Sequence, residues 1–265
     1  MAKKPTSSLI VTTYNSPRYL ELSMRSIFNQ RYLPDEILVA DDGSTDETRM
    51  LVEEMAAESF VPVRHIWQPD EGFRAGAIRN KAIEQARGDY IIQIDGDIIL
   101  HPSFVLDHLR MAHRGTFVCG SRVIIEQELT ESIIDKRRIV IKCNETGLRH
   151  TINGHRIPLL IPFFSRYKAH NGSYARSCNM ACWRDDLLRV NGYNEDIRGW
   201  GREDSELSWR LMNAGIKKRF LKFGGIQYHL YHSENEKGCD PRNIALMERT
   251  AREHISWIPN GIVKG

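Results

Sequence analysis

Along the N-terminal half of the chain the hydrophobic positions alternate between two periods. Leu9-Ile10-Val11-Thr12, Glu36-Ile37-Leu38-Val39-Ala40, Val63-Arg64-His65-Ile66-Trp67 and Tyr90-Ile91-Ile92-Gln93-Ile94 are short runs rich in β-branched residues and read as strands. Helical stripes lie between them. Leu20, Met24, Ile27 and Phe28 mark the first, Thr48, Leu51, Val52 and Met55 the second, and Ala77, Ile78, Ala82, Ile83 and Ala86 a third that Gly88 stops. Ser44 with Glu47 three residues later predicts a capping box opening the second helix. Strand and helix in regular alternation predict an α/β fold with one mostly parallel sheet flanked by helices. Ligands of such sheets bind beyond the carboxyl ends of the strands. That is where the polar residues gather: Thr12-Thr13-Tyr14-Asn15, Asp41-Asp42-Gly43-Ser44 and Asp95-Gly96-Asp97 follow three of the strand runs and are expected along one sheet edge.

The pattern breaks down from Ile124 to Lys168, which predicts a variable insertion over 124–170 between a first half, 1–123, and a second, 171–240, with a tail at 241–265. In the second half Ser205 to Asn213 reads as a helix stopped by Gly215, and Lys218 to Phe223 and Ile226 to Tyr231 read as strands. The chain of 265 residues is 41% hydrophobic and 27% charged, which suits a single domain with one sizeable core. Its 37 basic and 34 acidic residues give a net charge of +3, too balanced for a dedicated nucleic-acid binder. The five cysteines, Cys119, Cys143, Cys178, Cys182 and Cys239, are odd in number and irregularly spaced, which fits reduced thiols and a cytoplasmic setting. No long apolar segment opens the chain, so secretion is not expected. The longest uncharged apolar run, Ile157 to Phe164, is far short of the ~20 residues that cross a bilayer, although with Arg156, Arg166 and Lys168 nearby it could rest on the inner face of a membrane or simply pack internally.

Asp-Gly-Asp by itself describes many ordinary turns. Here two carboxylates, about 6.5 to 7 Å apart if they share a strand face, follow a buried-strand pattern, with Asp41 and Asp42 upstream and Glu203 and Asp204 downstream. Carboxylates so placed suit a divalent cation shared with substrate phosphates. On these residues the chain resembles family 2 glycosyltransferases, inverting sugar-nucleotide-dependent enzymes with the GT-A fold. The resemblance rests on Thr12-Thr13-Tyr14-Asn15, Asp41-Asp42-Gly43-Ser44-Thr45-Asp46, Gly72-Phe73-Arg74-Ala75 with Arg79-Asn80, and Asp95-Gly96-Asp97. Asn191-Gly192-Tyr193, Gly199-Trp200-Gly201-Arg202-Glu203-Asp204 and His229-Leu230-Tyr231-His232 resemble the acceptor half of β-1,4-galactosyltransferases and bacterial chondroitin polymerases.

The resemblance implies a UDP-sugar donor, held by Thr12, Tyr14, Asp42, Arg74, Arg79, Asp95 and Gly96. It assigns Mn²⁺ or Mg²⁺ chiefly to Asp97, with His232 in His232-Ser233-Glu234-Asn235 completing the coordination and His229 as the fallback. It makes Asp204 the general base, with Glu203 beside it as a second catalytic or sugar-holding carboxylate, and Trp200, Gly201 and Glu203 the acceptor contacts. The acceptor implied is a saccharide or lipid-linked saccharide of bacterial surface polysaccharide or lipooligosaccharide assembly. Two other readings stay open on sequence: a phosphatase of the haloacid-dehalogenase type, which also carries an Asp-x-Asp pair after a strand, and a sugar-binding module without activity. Glu203 and Asp204 also suit the first turn of a helix on dipole grounds alone.

Overall fold

A computed structural model describes residues 4–233 and 239–265; Glu234 and Asn235 lie outside the described residues. The first part alternates as the periodicity predicts: β1 (Ser7–Thr13), α1 (Pro17–Phe28), β2 (Glu36–Asp41), α2 (Asp46–Glu58), β3 (Val63–Trp67), α3 (Ala75–Gln85) and β4 (Tyr90–Asp95). Successive strand residues point to opposite faces, and each face has its own core. Ile10, Leu38 and Ile91 pack on one side with Ile78, Ala82 and Ile83 of α3. Leu9, Val11, Ile37, Val39 and Ile92 pack on the other with Leu20, Met24 and Ile27 of α1 and Val52 and Met55 of α2. Both faces being covered explains why these strands read as nearly continuous apolar runs.

The chain continues through β5 (Ile98–Leu100), α4 (Phe104–Met111), β6 (Thr116–Gly120), β7 (Val123–Ile125), α5 (Gln127–Asp135), β8 (Leu148–Arg149), α6 (Ile161–Phe164), β9 (Met180–Trp183), α7 (Arg184–Arg189), α8 (Glu203–Asn213), β10 (Lys217–Leu221), β11 (Gln227–His229) and α9 (Pro241–Arg252). The main sheet has seven strands in the order β10-β6-β9-β4-β1-β2-β3. Within it β9 runs antiparallel to both its neighbours, β4 and β6, and the other pairings are parallel. Thr12 therefore lies opposite both Ala40 and Asp95, and Thr13 opposite Asp41, so the polar strand ends do share one edge.

A second sheet, β5-β11-β7-β8, encloses a smaller core of Ile99, Val123, Ile125, Ile133, Ile226 and Tyr228. Segment 124–170 is thus ordered in part: Ile124 and Ile125 belong to β7, and α5 buries Ile133 beneath it. The C-terminal segment carries α9, capped by the Asp240 side chain on the Arg242 N–H. No described helix is long and apolar enough to cross a membrane, and all five cysteines are free.

One local expectation is corrected. Ser44 does not cap α2: its N–H donates to Asp41 Oδ1 at 2.8 Å and its hydroxyl accepts the Asn15 N–H at 2.8 Å, while Thr45 occupies the N-cap without a side-chain bond. The serine is drawn under the helix by Asp41, and Glu47 stays exposed.

Helix α8 is fastened from below by a buried ion pair. Arg210 Nε and Nη2 reach Glu206 at 2.9 and 2.7 Å, Thr250 of α9 donates to Glu206 at 3.0 Å, and neither charged side chain is exposed. Glu206→Ala leaves the Arg210 charge buried without its partner. Urea unfolding is expected to show a loss of about 3–5 kcal/mol; a change below about 0.5 kcal/mol would contradict this account of how α8 is held.

Candidate active site

The strand ends form the floor of the site. Gly96 N–H donates to the Thr12 carbonyl at 2.7 Å, closing the turn between β4 and β5 directly over β1. A Cβ at Gly96 would meet the Thr12 carbonyl and Thr13 at 3.2 Å, tighter than ordinary van der Waals contact, so the close backbone approach favours glycine.

Arg79 joins this floor to the acceptor side. It projects from α3 with its side chain only 5% exposed, and donates to Thr12 Oγ1 at 3.1 Å, Asp95 Oδ1 at 3.0 Å and Glu203 Oε1 at 3.0 Å. Burial opposes its charge, but Asp95 and Glu203 more than offset that and hold the guanidinium firmly protonated. The Tyr193 ring lies 5.5 Å from its guanidinium carbon. The neighbouring Asn80 bonds both the N–H and the carbonyl of Tyr193, at 2.7 and 2.9 Å. Arg79 and Asn80 therefore tie the Asn191-Gly192-Tyr193 turn and the start of α8 to the nucleotide half.

Asp97, His229 and His232 converge beyond that hub. His232 Nε2 is 3.0 Å and His229 Nε2 3.4 Å from Asp97 Oδ2, and one ligand atom from each of the three lies within 4.8 Å of the others. Burial pushes the Asp97 carboxyl up, yet the two imidazoles prevail and keep it below the ordinary range. Burial lowers His229, which favours the neutral ring a cation needs. Asp97 Oδ1 is buried and accepts no hydrogen bond among the described residues. An orphaned carboxylate oxygen beside two imidazoles fits a divalent cation, and this mixed donor set suits Mn²⁺ at least as well as Mg²⁺. Asp95, pushed up by burial against the pull of Arg79, faces the arginine instead.

Asp204 stands in the first turn of α8. Burial and the adjacent Glu203 raise its carboxyl to about 7, opposed by Arg79 and by the backbone N–H groups of Ser205 and Ser177. A base with that affinity is poised for proton transfer near neutral pH. The loop before it turns through left-handed conformations at Gly199 (φ 72°), Gly201 (φ 99°) and Arg202 (φ 80°), which leaves Trp200 58% exposed at the mouth. Gly199 N–H donates to the Phe73 carbonyl at 3.2 Å, so this loop closes against the Gly72-Phe73-Arg74 turn.

On the other flank Asp42 accepts from Gln68 Nε2 at 2.6 Å and from the Arg74 N–H at 2.7 Å, and burial raises its carboxyl. Arg74 thus meets Asp42 through its backbone; its guanidinium binds Glu71 at 2.8 Å and the Pro69 carbonyl at 2.7 Å. The exposed Tyr14 donates to Asp70 Oδ2 at 2.9 Å. Asp41 is engaged elsewhere, by His65 at 2.8 Å and Ser44.

Comparison with known proteins decides the family. The family described as Glycosyl transferase family 2 matches residues 8–172. The chain belongs to this family. A second family, described as the N-terminal domain of galactosyltransferase, matches residues 163–233 of the same chain. It is 24% identical over 245 residues to chondroitin synthase of Escherichia coli, covering 84% of this chain and 34% of that one. It is 27% identical to validoxylamine A glucosyltransferase of Streptomyces hygroscopicus subsp. limoneus, covering 96% and 58%. The chain thus spans from about a third to under two thirds of the length of these relatives. The structure of GalNAc-T7 with UDP, GalNAc and Mn²⁺ superposes with a TM-score of 0.68 at 16% identity, covering 93% of this chain and 48% of that one, which places the chain in the GT-A fold. The phosphatase reading finds no support: the aspartate pair follows β4 rather than the first strand, and both matching families transfer sugars.

Several parts of the site carry no linear signal. Gln68 behind Asp42 is placed by tertiary contacts alone, as is the approach of the Tyr193 ring, part of a motif read from the sequence, to Arg79. So is Arg122, between β6 and β7, whose charge favours the ionised Asp97 and the neutral His229. The His229 and His232 spacing offered one hint, since both can reach the same carboxylate only if β11 lies beside β5. Arg79→Leu leaves Asp95 and Glu203 facing each other without a cation. A stability loss of about 3–5 kcal/mol by urea unfolding is expected, together with weaker nucleotide binding in calorimetry; wild-type values for both would remove Arg79 from its bridging role.

Proposed function

We propose that the protein is an inverting hexosyl- or N-acetylhexosaminyltransferase that moves a sugar from a UDP-sugar to a saccharide or lipid-linked saccharide. The observation that carries this reading is the half-buried Asp204 with its carboxyl raised to about 7, joined through Glu203 and Arg79 to the Asp95-Gly96-Asp97 edge and its two histidines. The relation to chondroitin synthase, and the UDP, GalNAc and Mn²⁺ of the GalNAc-T7 structure, support the donor and acceptor classes. The free thiols support a cytoplasmic setting.

Each residue then has a part. Asp42 accepts the uracil N–H, with Thr12 and Tyr14 against the uridine. Asp95 and Gly96 face the ribose and sugar. Arg79 orients Asp95 and Glu203, and Arg74, once released by the exposed Glu71, reaches the diphosphate with its planar fork. Asp97, His229 and His232 would hold Mn²⁺ or Mg²⁺, which would supply Lewis-acid stabilisation of the diphosphate charge. Trp200 and Gly201 bring an apolar face against the acceptor sugar, and Glu203 holds its hydroxyls. Asp204 takes the proton of the attacking hydroxyl as the new bond to C1 forms, and UDP leaves from the opposite face with the electrons of the broken bond.

A donor screen over UDP-glucose, UDP-galactose and their N-acetyl forms, with GDP-mannose as control, tests the assignment through metal-dependent release of the nucleotide. Release from no UDP-sugar with any saccharide acceptor would overturn it. The base must be ionised, and its carboxyl sits near 7, so kcat/KM is expected to fall about tenfold per pH unit below that value. Asp204→Asn is expected to lower transfer about 10² to 10⁴-fold and abolish that limb while leaving UDP affinity nearly intact; undiminished turnover would sink the role of Asp204. Asp97→Ala is expected to remove Mn²⁺ binding measured by calorimetry in the absence of donor, and retention of wild-type affinity would count against the site.

A further inference from the structure

Residues 157–168 turn apolar side chains outward on a backbone that is firmly held. Leu159 is 84% and Phe163 81% exposed, with Ile157, Phe164 and Tyr167 exposed beside them. Underneath, Ile161 is buried with Met111, Val118 and Leu221. The Ile157 N–H donates to the Phe223 carbonyl at 3.0 Å, and the Phe220 N–H to the Ser165 carbonyl at 2.9 Å. The Phe164 ring leans edge-on against Phe223 at 5.1 Å, and Tyr167 against Phe220 at 5.2 Å. This is a fixed protrusion, since its inner side chains and backbone are engaged while Leu159 and Phe163 point away from the core.

Its charge is one-sided. Between Glu145 and Asp185 the chain has no acidic residue, but it carries Arg149, Arg156, Arg166, Lys168, Arg176 and Arg184. Arg156 is committed to Asp107 at 2.6 Å; Arg149, Arg166 and Lys168 are exposed. The protrusion also stands at the same end of the main sheet as the candidate active site. Because β9 is antiparallel to both β4 and β6, and β10 is parallel to β6, the carboxyl end of β10 at Leu221 lies on the edge that Asp95 closes. Phe223, which the protrusion packs on, follows that end directly.

From this geometry we infer that Leu159 and Phe163, with the exposed Arg166 and Lys168 in the same segment, form a docking surface for an anionic phospholipid membrane. Apolar tips enter the headgroup boundary while the exposed cations of a stretch without acidic residues in sequence meet the lipid phosphates. A second copy of this chain is a poorer occupant, because the same cations would face each other across the contact. The placement on the site's own edge brings the acceptor side to the lipid surface, which deepens the glycosyltransferase reading by favouring a lipid-linked acceptor, and it rests on that reading for this point alone.

The test is co-sedimentation with vesicles of phosphatidylcholine and phosphatidylglycerol, against phosphatidylcholine alone. The full chain is expected to pellet with the anionic vesicles only, and less at high salt. Leu159→Ser with Phe163→Ser is expected to lower the partition coefficient at least about tenfold, and Arg166→Glu with Lys168→Glu likewise. These four side chains are exposed, so both variants keep the fold. No binding by the wild type, or unchanged binding in both variants, overturns the inference. So does a wild-type dimer in solution that Leu159→Ser with Phe163→Ser converts to monomer. UDP release with a soluble acceptor, measured without vesicles, is expected to stay within about twofold of wild type in both variants. Its absence in the wild type itself would count against the enzymatic reading and leave the vesicle result standing.

Discussion

A buried guanidinium is costly unless its donors all find acceptors, and Arg79 finds them on three separate elements: Thr12 at the end of β1, Asp95 at the end of β4 and Glu203 at the start of α8. That requirement fixes where α8 can begin relative to the sheet. It also neutralises two carboxylates that would otherwise repel at the centre of the cleft, leaving Asp97 and Asp204 as the carboxylates with chemistry to spare. The electrostatic consequences diverge as they must. Asp97, beside two imidazoles, is held below the ordinary range, and Asp204, beside another acid and away from solvent, is raised to about 7. Environments that push two carboxylates apart in this way suit the two roles proposed for them, holding a cation and accepting a proton.

The second sheet does for the metal side what Arg79 does for the acceptor side. Its strand β11 lies antiparallel to β5 with His229 opposite Ile98, and the Leu230 N–H donates to the Asp97 carbonyl at 3.0 Å. The histidines are thereby locked to the residue that follows the β4 strand end. Farther out, the Glu206 and Arg210 pair and Thr250 hold α8 against α9, so the loop before α8 with its three left-handed residues is anchored at its far end while Trp200 stays exposed at its tip. Rigidity below and freedom at the mouth suit a site that must admit a second substrate.

Much of the fold was legible because the strands of the N-terminal half are buried on both faces and their helices on one, which produces two clearly different periods. The bounds of β3 followed from it directly; α3 was found by its apolar stripe, but it begins at Ala75, ahead of the first stripe residue Ala77, and ends at Gln85, before Ala86 and Gly88. The capping box did not survive, since Ser44 and Glu47 have the right spacing but Asp41 competes successfully for the serine backbone. The irregular stretch after Gly120 hid β7, β8 and α5, because strands of two or three residues in a small sheet bury too little to leave a periodic trace. α9 was equally silent, its polar exposed face outweighing the few side chains it buries, Asn243, Met247 and Thr250.

The sequence by itself determined the alternating sheet, the acidic strand ends that share its edge, and the family to which these motifs belong, because local residue order is enough to set strand period and the residue at each strand end. Only the tertiary structure decided that His229 joins His232 on Asp97, that Arg79 spends its donors on Asp95 and Glu203, and that Asp204 is raised toward neutrality. Those are properties of distances and burial between segments far apart in the chain, and no local pattern encodes how much water is excluded when the segments meet.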